Sequence, residues 1–257
     1  MNPIFQARST LSEAVPETPT IDQRETPRRE MKYLLPYSSG RSPESFVKAL
    51  VPSLKVEYPP RLVSSIYFDT ASYASYEQSN SGMSERVKLR LRWYDNLRIA
   101  ERPILEFKHR VNAQGWKRQY KLKSMVLDGV AWDLIRAQIA SQVQDRNRLH
   151  IAALRFPILI ASYYRHYFIT VNRKIRLTVD TQLHFLDQRY RPRPNFTFDA
   201  VEGDFAVVEC KLDKTLDSSA AGLVKPLGLR WSRFSKYCFG LDALSRLTGR
   251  RSPLWPA

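Results

Sequence analysis

A chain of 257 residues suits one large domain, and its 43% hydrophobic and 12% aromatic residues are enough to build a core. A formal charge of +16 points to a polyanionic partner: nucleic acid, polyphosphate, nucleotide or an anionic membrane surface. The two distant cysteines, Cys210 and Cys238, argue against a disulfide scaffold, no apolar run reaches membrane-spanning length, and the polar start lacks a secretory build, so the expected compartment is the cytoplasm.

Residues 1–26, rich in Ser, Thr, Pro and Glu, read as a disordered leader. Order is expected to begin in the alternating stretch that starts at Pro27. A short helix follows, with Ser42 as N-cap and Pro43 at its first position. Residues 63–70 read as a strand ending in a turn, and Tyr73 and Tyr76 share one face of a short helix that breaks near Gly82. Further strands are expected over 86–93, 104–110 and 116–120, the last two separated by a turn at Gly115. From Ser124 to about His150 the pattern is helical, with Val130, Leu134, Ile135 and Ile139 at core spacing. Strands return over 157–168, 176–180 and 206–211, and a helix from about Ser232 to Leu244 closes the domain. The boundaries are therefore a leader over 1–26, a domain over 27–246 and a tail over 247–257. The Arg189–Arg193 stretch reads as a solvated loop or, less simply, a polymer exit.

The run Arg86-Val87-Lys88-Leu89-Arg90-Leu91-Arg92-Trp93 carries most of the information. In a strand, alternate side chains point to opposite faces, so its cations share one face and its apolar residues the other. The same division recurs in Glu106-Phe107-Lys108, Arg176-to-Asp180 and Glu209-Cys210-Lys211. One charged row is an ordinary solvated face; several, with acids set between the cations, fit a charged bore with its apolar side outward under helices. The resulting fold class is α+β: an antiparallel β-barrel tunnel with a charged interior, covered by peripheral α-helices. Arg and Lys would bind phosphate oxygens there, and Glu30, Glu106, Asp180 and Glu209 could hold hard divalent cations. Asp69 reads as a turn or cap residue, Tyr67 and Phe68 as core, and Cys210 as outer packing. No Gly-x-x-x-x-Gly-Lys-Ser/Thr loop, zinc spacing or nucleophile–histidine pair is present in the sequence.

The segments 28–33, 65–70, 87–94, 105–108, 208–211 and 233–237, in this order, resemble the VTC domain, the polyphosphate polymerase domain related to the CYTH-like or triphosphate tunnel metalloenzyme superfamily. The resemblance runs from about Arg28 to Leu244. It implies a charged β-tunnel that transfers the terminal phosphate of a nucleoside triphosphate, with ATP as the expected donor, onto polyphosphate with Mn or Mg. Under it, Lys32, Arg90, Arg92 and Lys108 match tunnel cations, one of Lys117 and Arg118 supplies another, and Tyr163 with Arg165 forms a Tyr-x-Arg pair. Arg176 matches a later arginine, Ser235 and Lys236 a Phe-Ser-Lys-Tyr motif, and Glu209 the metal-binding glutamate. Lys88 and Lys211 join the phosphate-binding set by their strand faces, with Glu30 and Glu106 as further candidate ligands. A triphosphatase of the same fold and a non-catalytic polyphosphate-binding module are the alternatives. A membrane-protein partner stays open, and nucleic-acid binding is disfavoured because the cations track strand faces shared with acids.

Overall fold

A computed structural model describes residues 20–23, 28–36, 42–51, 53–112, 114–143, 151–152, 156–198, 200–213 and 230–249. Its elements are β1 (Thr20–Gln23), β2 (Arg28–Pro36), α1 (Pro43–Leu50), β3 (Leu54–Asp69), α2 (Ala74–Asn80), β4 (Glu85–Tyr94), β5 (Ile99–Ala100), β6 (Ile104–Val111) and β7 (Gln114–Lys121). They continue with β8 (Met125–Val126), α3 (Trp132–Ser141), β9 (Phe156–Thr170), β10 (Ile175–Asp187), β11 (Ala200–Glu202), β12 (Phe205–Asp213), β13 (Trp231–Ser232) and α4 (Lys236–Thr248). The class is α+β, dominated by one antiparallel sheet.

That sheet runs β1-β7-β6-β4-β3-β9-β10-β12-β2-β13, with β11 paired to β10. It curls strongly. Six strand steps separate β6 from β2, about 29 Å in a flat sheet at 4.8 Å per step. Yet Glu30 and Lys32 of β2 act electrostatically on Lys108 of β6. Likewise Lys88 Nζ of β4 donates to Ser235 Oγ, just ahead of α4, at 3.2 Å. Among the described residues the sheet curls with its β1–β7 end and its β2–β13 end joined by no ladder.

The alternation decides which side is packed. Leu89, Leu91 and Trp93 lie in a core with Ile66, Leu105 and Phe107, under Trp132, Ile135 and Ile139 of α3. Leu134, expected in the core, is 64% exposed, because the helix begins only at Trp132 and presents that residue instead. A second core places Val47 and Phe46 of α1 on Leu177, Val179, Val208 and Cys210. The α1 start is as the sequence indicated: Ser42 Oγ accepts from Ser45 N, with Pro43 next in line. Cys210 is fully buried there, and burial, with Glu209 beside it, pushes its thiol up to about 12.

A third core sits on the concave side. Tyr237, Leu241 and Leu244 of α4 pack against Val63, Tyr67, Leu159, Tyr163, Phe185 and Val207. A bulge makes this possible in β10. The register shifts between Thr181 and His184, with Gln182 at φ 50, and the concave set changes from Thr178 and Asp180 to Leu183 and Phe185. The short strand read from the sequence therefore continues past the bulge to Asp187.

Three further expectations change. Thr20–Gln23 pairs with β7 inside the stretch read as leader, while residues 1–19 lie outside the described residues. The last helix starts at Lys236 and runs to Thr248, beyond the expected end, and residues 250–257 of the tail also lie outside the described residues. Arg189 is buried rather than solvated, because its Nε and Nη2 donate to Asp187 at 2.9 and 2.8 Å and Nη1 reaches Ser245. The carbonyl of Pro192 accepts from Trp132 N of α3, so this loop runs from α4 to α3.

Candidate functional site

The cross-strand register collects the charged residues. Directly opposed residues of antiparallel strands share a face. Arg90 faces Glu106, Lys88 faces Lys108, and Lys108 faces Lys117. Arg118 faces Phe107, so Lys117 belongs to the charged face and Arg118 to the outer one. On the other flank Arg165 faces Asp180, Thr178 faces Glu209, Arg176 faces Lys211, and Glu209 faces Lys32.

Three ion-pair groups organise this face. Arg165 donates from Nε and Nη2 to the two oxygens of Asp180 at 2.6 and 2.8 Å, and Lys236 Nζ reaches Asp180 Oδ2 at 2.5 Å. Asp180 is fully buried, which opposes its charge, but Arg165 and Lys236 outweigh burial and hold its carboxyl below the usual range. Arg90 pairs with Glu106, whose other oxygen accepts from Gln119. Burial resists ionisation of Glu106 too, and Arg90 and Arg92 overcome it, so the carboxyl stays charged. Glu30 bonds Lys32 at 3.0 Å and Glu209 bonds Lys211 at 3.1 Å. Against its burial, Lys211, Lys32 and Arg165 keep Glu209 well below the ordinary carboxylate range.

Lys108 and Lys88 are shifted the other way, toward the neutral form. Lys108 is exposed to water yet ringed by charged neighbours, as a residue lining a solvent-filled hollow would be. Desolvation, with Arg90 and Lys32 adding to it against Glu30 and Glu209, brings its ammonium down to about 8. Lys88 is likewise lowered, chiefly by desolvation. Tyr163 is an aromatic platform: Lys236 Nζ stands 4.4 Å and Arg165 Cζ 5.3 Å from its ring centroid, and Arg92 Nη2 reaches its hydroxyl at 3.2 Å.

The predicted residues thus fall into groups. Lys32, Lys88, Arg90, Arg92, Lys108, Lys117, Tyr163, Arg165, Glu30, Glu106, Glu209, Lys211, Ser235 and Lys236 lie on or against one concave face. Arg176 sits at its outer end, half exposed and paired with Glu57 at 3.2 Å. Glu106 is a poor metal ligand, since Arg90 and Gln119 occupy its oxygens. Asp180, grouped by sequence with possible ligands, is instead the anchor of Arg165 and Lys236. Gln119 and Ser65, which accepts from Arg92 Nε at 3.4 Å, were missed. The period-two alternation with Lys117 would have found Gln119. Tyr67 is core, stacked on Tyr237 at 5.4 Å, but also faces the site; despite burial, Arg90, Arg92 and Lys236 lower its phenol. Asp69 caps α2, accepting from Ser75 N and Tyr76 N, and takes the Tyr237 hydroxyl at 2.6 Å.

No cluster of three or more Asp, Glu, His or Cys side chains suited to a metal occurs among the described residues. Glu30 and Glu209 nevertheless stand diagonally on neighbouring strands and repel each other. Two adjacent carboxylates, completed by substrate phosphates and water, fit a hard divalent cation.

The curled antiparallel sheet thus gathers paired and unpaired charges on one concave face. The chain belongs to the VTC domain family, whose match spans residues 27–245. No curated protein matches it. Among solved structures it is similar to a protein from Pyrococcus horikoshii OT3, with 10% identity, TM-score 0.42, and coverage of 84% of this chain and 98% of that one. A candidate adenylate cyclase from Vibrio parahaemolyticus shares 14% identity at TM-score 0.43, covering 84% and 97%. A candidate adenylyl cyclase from Hippeastrum, reported to have a dominant triphosphatase activity, shares 15% at TM-score 0.42, covering 88% and 99%. No helix among the described residues is long and apolar enough to cross a membrane.

Proposed function

We propose that this chain is a metal-dependent phosphotransferase that forms polyphosphate from the terminal phosphate of a nucleoside triphosphate, with residues 27–246 as the working domain and the concave face as its tunnel. The observation that carries this reading is the convergence of Arg90, Arg92, Lys88, Lys108, Lys32 and Lys236 from separate elements on one face. Phosphoryl transfer needs positioning and charge stabilisation rather than a protein nucleophile, because the acceptor phosphate is already an anion. Arg90 and Arg92 would grip phosphate oxygens through their forks, while Lys88, Lys108 and Lys32 would act as point charges. Arg165 and Lys236, fixed by Asp180 and resting on Tyr163, would hold the reacting group in line. Glu30 and Glu209 would hold the Mn or Mg ion, which when bound neutralises charge on the phosphate oxygens.

The triphosphatase reading, with water as acceptor, draws on α4. Its packing against the concave side buries Phe185, Leu159 and Val207 at one end, so a substrate and its product would share the opposite mouth. Incubation with ATP and manganese, followed by gel resolution of polyphosphate from inorganic phosphate, separates the two. Polymer that lengthens with time supports the polymerase. Phosphate release without polymer rejects it, and neither product with any divalent metal leaves a binding module.

A further inference from the structure

The mouth opposite α4 carries an arginine that the proposed chemistry has not used. Arg61 lies on the concave face of β3, directly across from Arg165 of β9. Its guanidinium carbon is 5.9, 5.5 and 5.9 Å from the ring centroids of Tyr58, Tyr94 and Tyr167. Arg165 turns away from it, toward Asp180 and the Tyr163 ring. Among the described residues, Arg61 has no carboxylate partner.

Arg90 and Arg165 are held by carboxylates and Arg92 by the hydroxyls of Ser65 and Tyr163, whereas Arg61 is held by ring faces. A carboxylate would fix the side chain and cancel its charge. Ring faces fix the plane of the guanidinium and leave both its charge and its in-plane N–H donors available. Two arginines opposed across a strand pair also repel, which an oxyanion bound between them would relieve. Arg61 stands four residues from Ser65, the partner of Arg92, about 13 Å along the strand. A triphosphate held around Arg90 and Arg92 would stop short of it, whereas a longer chain leaving by the open mouth would run past it.

We propose that Arg61, in its cage of Tyr58, Tyr94 and Tyr167, is an outer subsite that binds phosphate units of a long polyphosphate and not those of a triphosphate. The proposal rests on the polyphosphate reading above and adds a chain-length selector to it. Burial, with Tyr94 adding to it against Arg165 and Arg61, pushes the Tyr167 hydroxyl up to about 12, so it stays neutral beside the anion.

The test is calorimetric titration of the full chain and Arg61→Gln with tripolyphosphate, ATP and a long polyphosphate of defined length. Loss of charge-assisted hydrogen bonds predicts about tenfold weaker binding of the long chain, with tripolyphosphate and ATP unchanged. Equal weakening of all three ligands, or none for the long chain, overturns the subsite. Weakening of ATP alone overturns it in favour of a base-stacking site. A parent protein that binds no polyphosphate at all would instead remove the functional reading itself, and the subsite with it. Arg61→Met, whose side chain still fills the cage, carries the same comparison should Arg61→Gln fail to fold.

Discussion

Replacing Asp180 by Asn tests whether the concave face is a charge-balanced assembly awaiting an anion. Asp180 is wholly buried and neutralises two cations, Arg165 and Lys236, whose side chains are only 13% and 10% exposed. The amide keeps the shape and one acceptor but leaves both cations without their counter-charge. Removing one partner of a buried ion pair costs about 3–5 kcal/mol. At about 2–4 °C per kcal/mol for a chain of this size, the melting temperature should fall by roughly 6–20 °C. Calorimetry and urea unfolding followed by tryptophan fluorescence measure it. Added tripolyphosphate should raise the melting temperature of Asp180→Asn more than that of the parent, because it supplies the missing negative charge. A loss below about 1 kcal/mol, or equal ligand shifts in both proteins, would refute the reasoning. Acid adds a second reading. The folded-state value of Asp180 lies below its unfolded value of about 3.9. Its contribution is therefore present above pH 4 and is lost as the pH falls through the folded value. The variant should lose less stability than the parent across that acid window.

Other perturbations separate the faces of the sheet. Arg90→Ala or Arg92→Ala should cost about 2–4 kcal/mol of transition-state stabilisation, read as kcat/KM in the polymer assay. Lys117→Ala should weaken tripolyphosphate binding while Arg118→Ala leaves it unchanged, since their side chains take opposite faces; titration of both variants checks this. Lys108, lowered to about 8, should take up a proton when phosphate binds, so affinity should fall as the pH rises above 8. Lys108→Arg should flatten that profile relative to the parent. Gly240→Ala would drive a methyl into the Phe185 ring. It should cost about 1–3 kcal/mol by overpacking, seen in the urea midpoint, with little change in tripolyphosphate affinity.

Much of the site was legible because a strand's period of two is a local property. The alternation of Arg86 to Trp93 sorts cations from apolar residues before any fold exists, and the same rule sorts Glu106 from Phe107 and Glu209 from Cys210. All three divisions appear in the packing. Ser42 and Pro43 also announced α1, since a cap acts within one helical turn. What stayed hidden depends on register, bulges and long-range pairing. The choice between Lys117 and Arg118 turns on which residue lies opposite Phe107, a relation between strands that neither segment encodes alone. The bulge at Gln182 changes the facing of β10, placing Phe185 under α4, and a periodic reading of residues 176–180 ends before it.

The sequence by itself determined a basic, strand-rich chain whose charged and apolar residues part by face, because side-chain direction follows from local backbone geometry. Only the tertiary structure decided how those charges are spent. Asp180 became an anchor for Arg165 and Lys236, Glu106 a partner of Arg90, and Arg61 an arginine held by rings alone. Such pairings are distances across a curled sheet, and they exist only once strands far apart in sequence share one hollow.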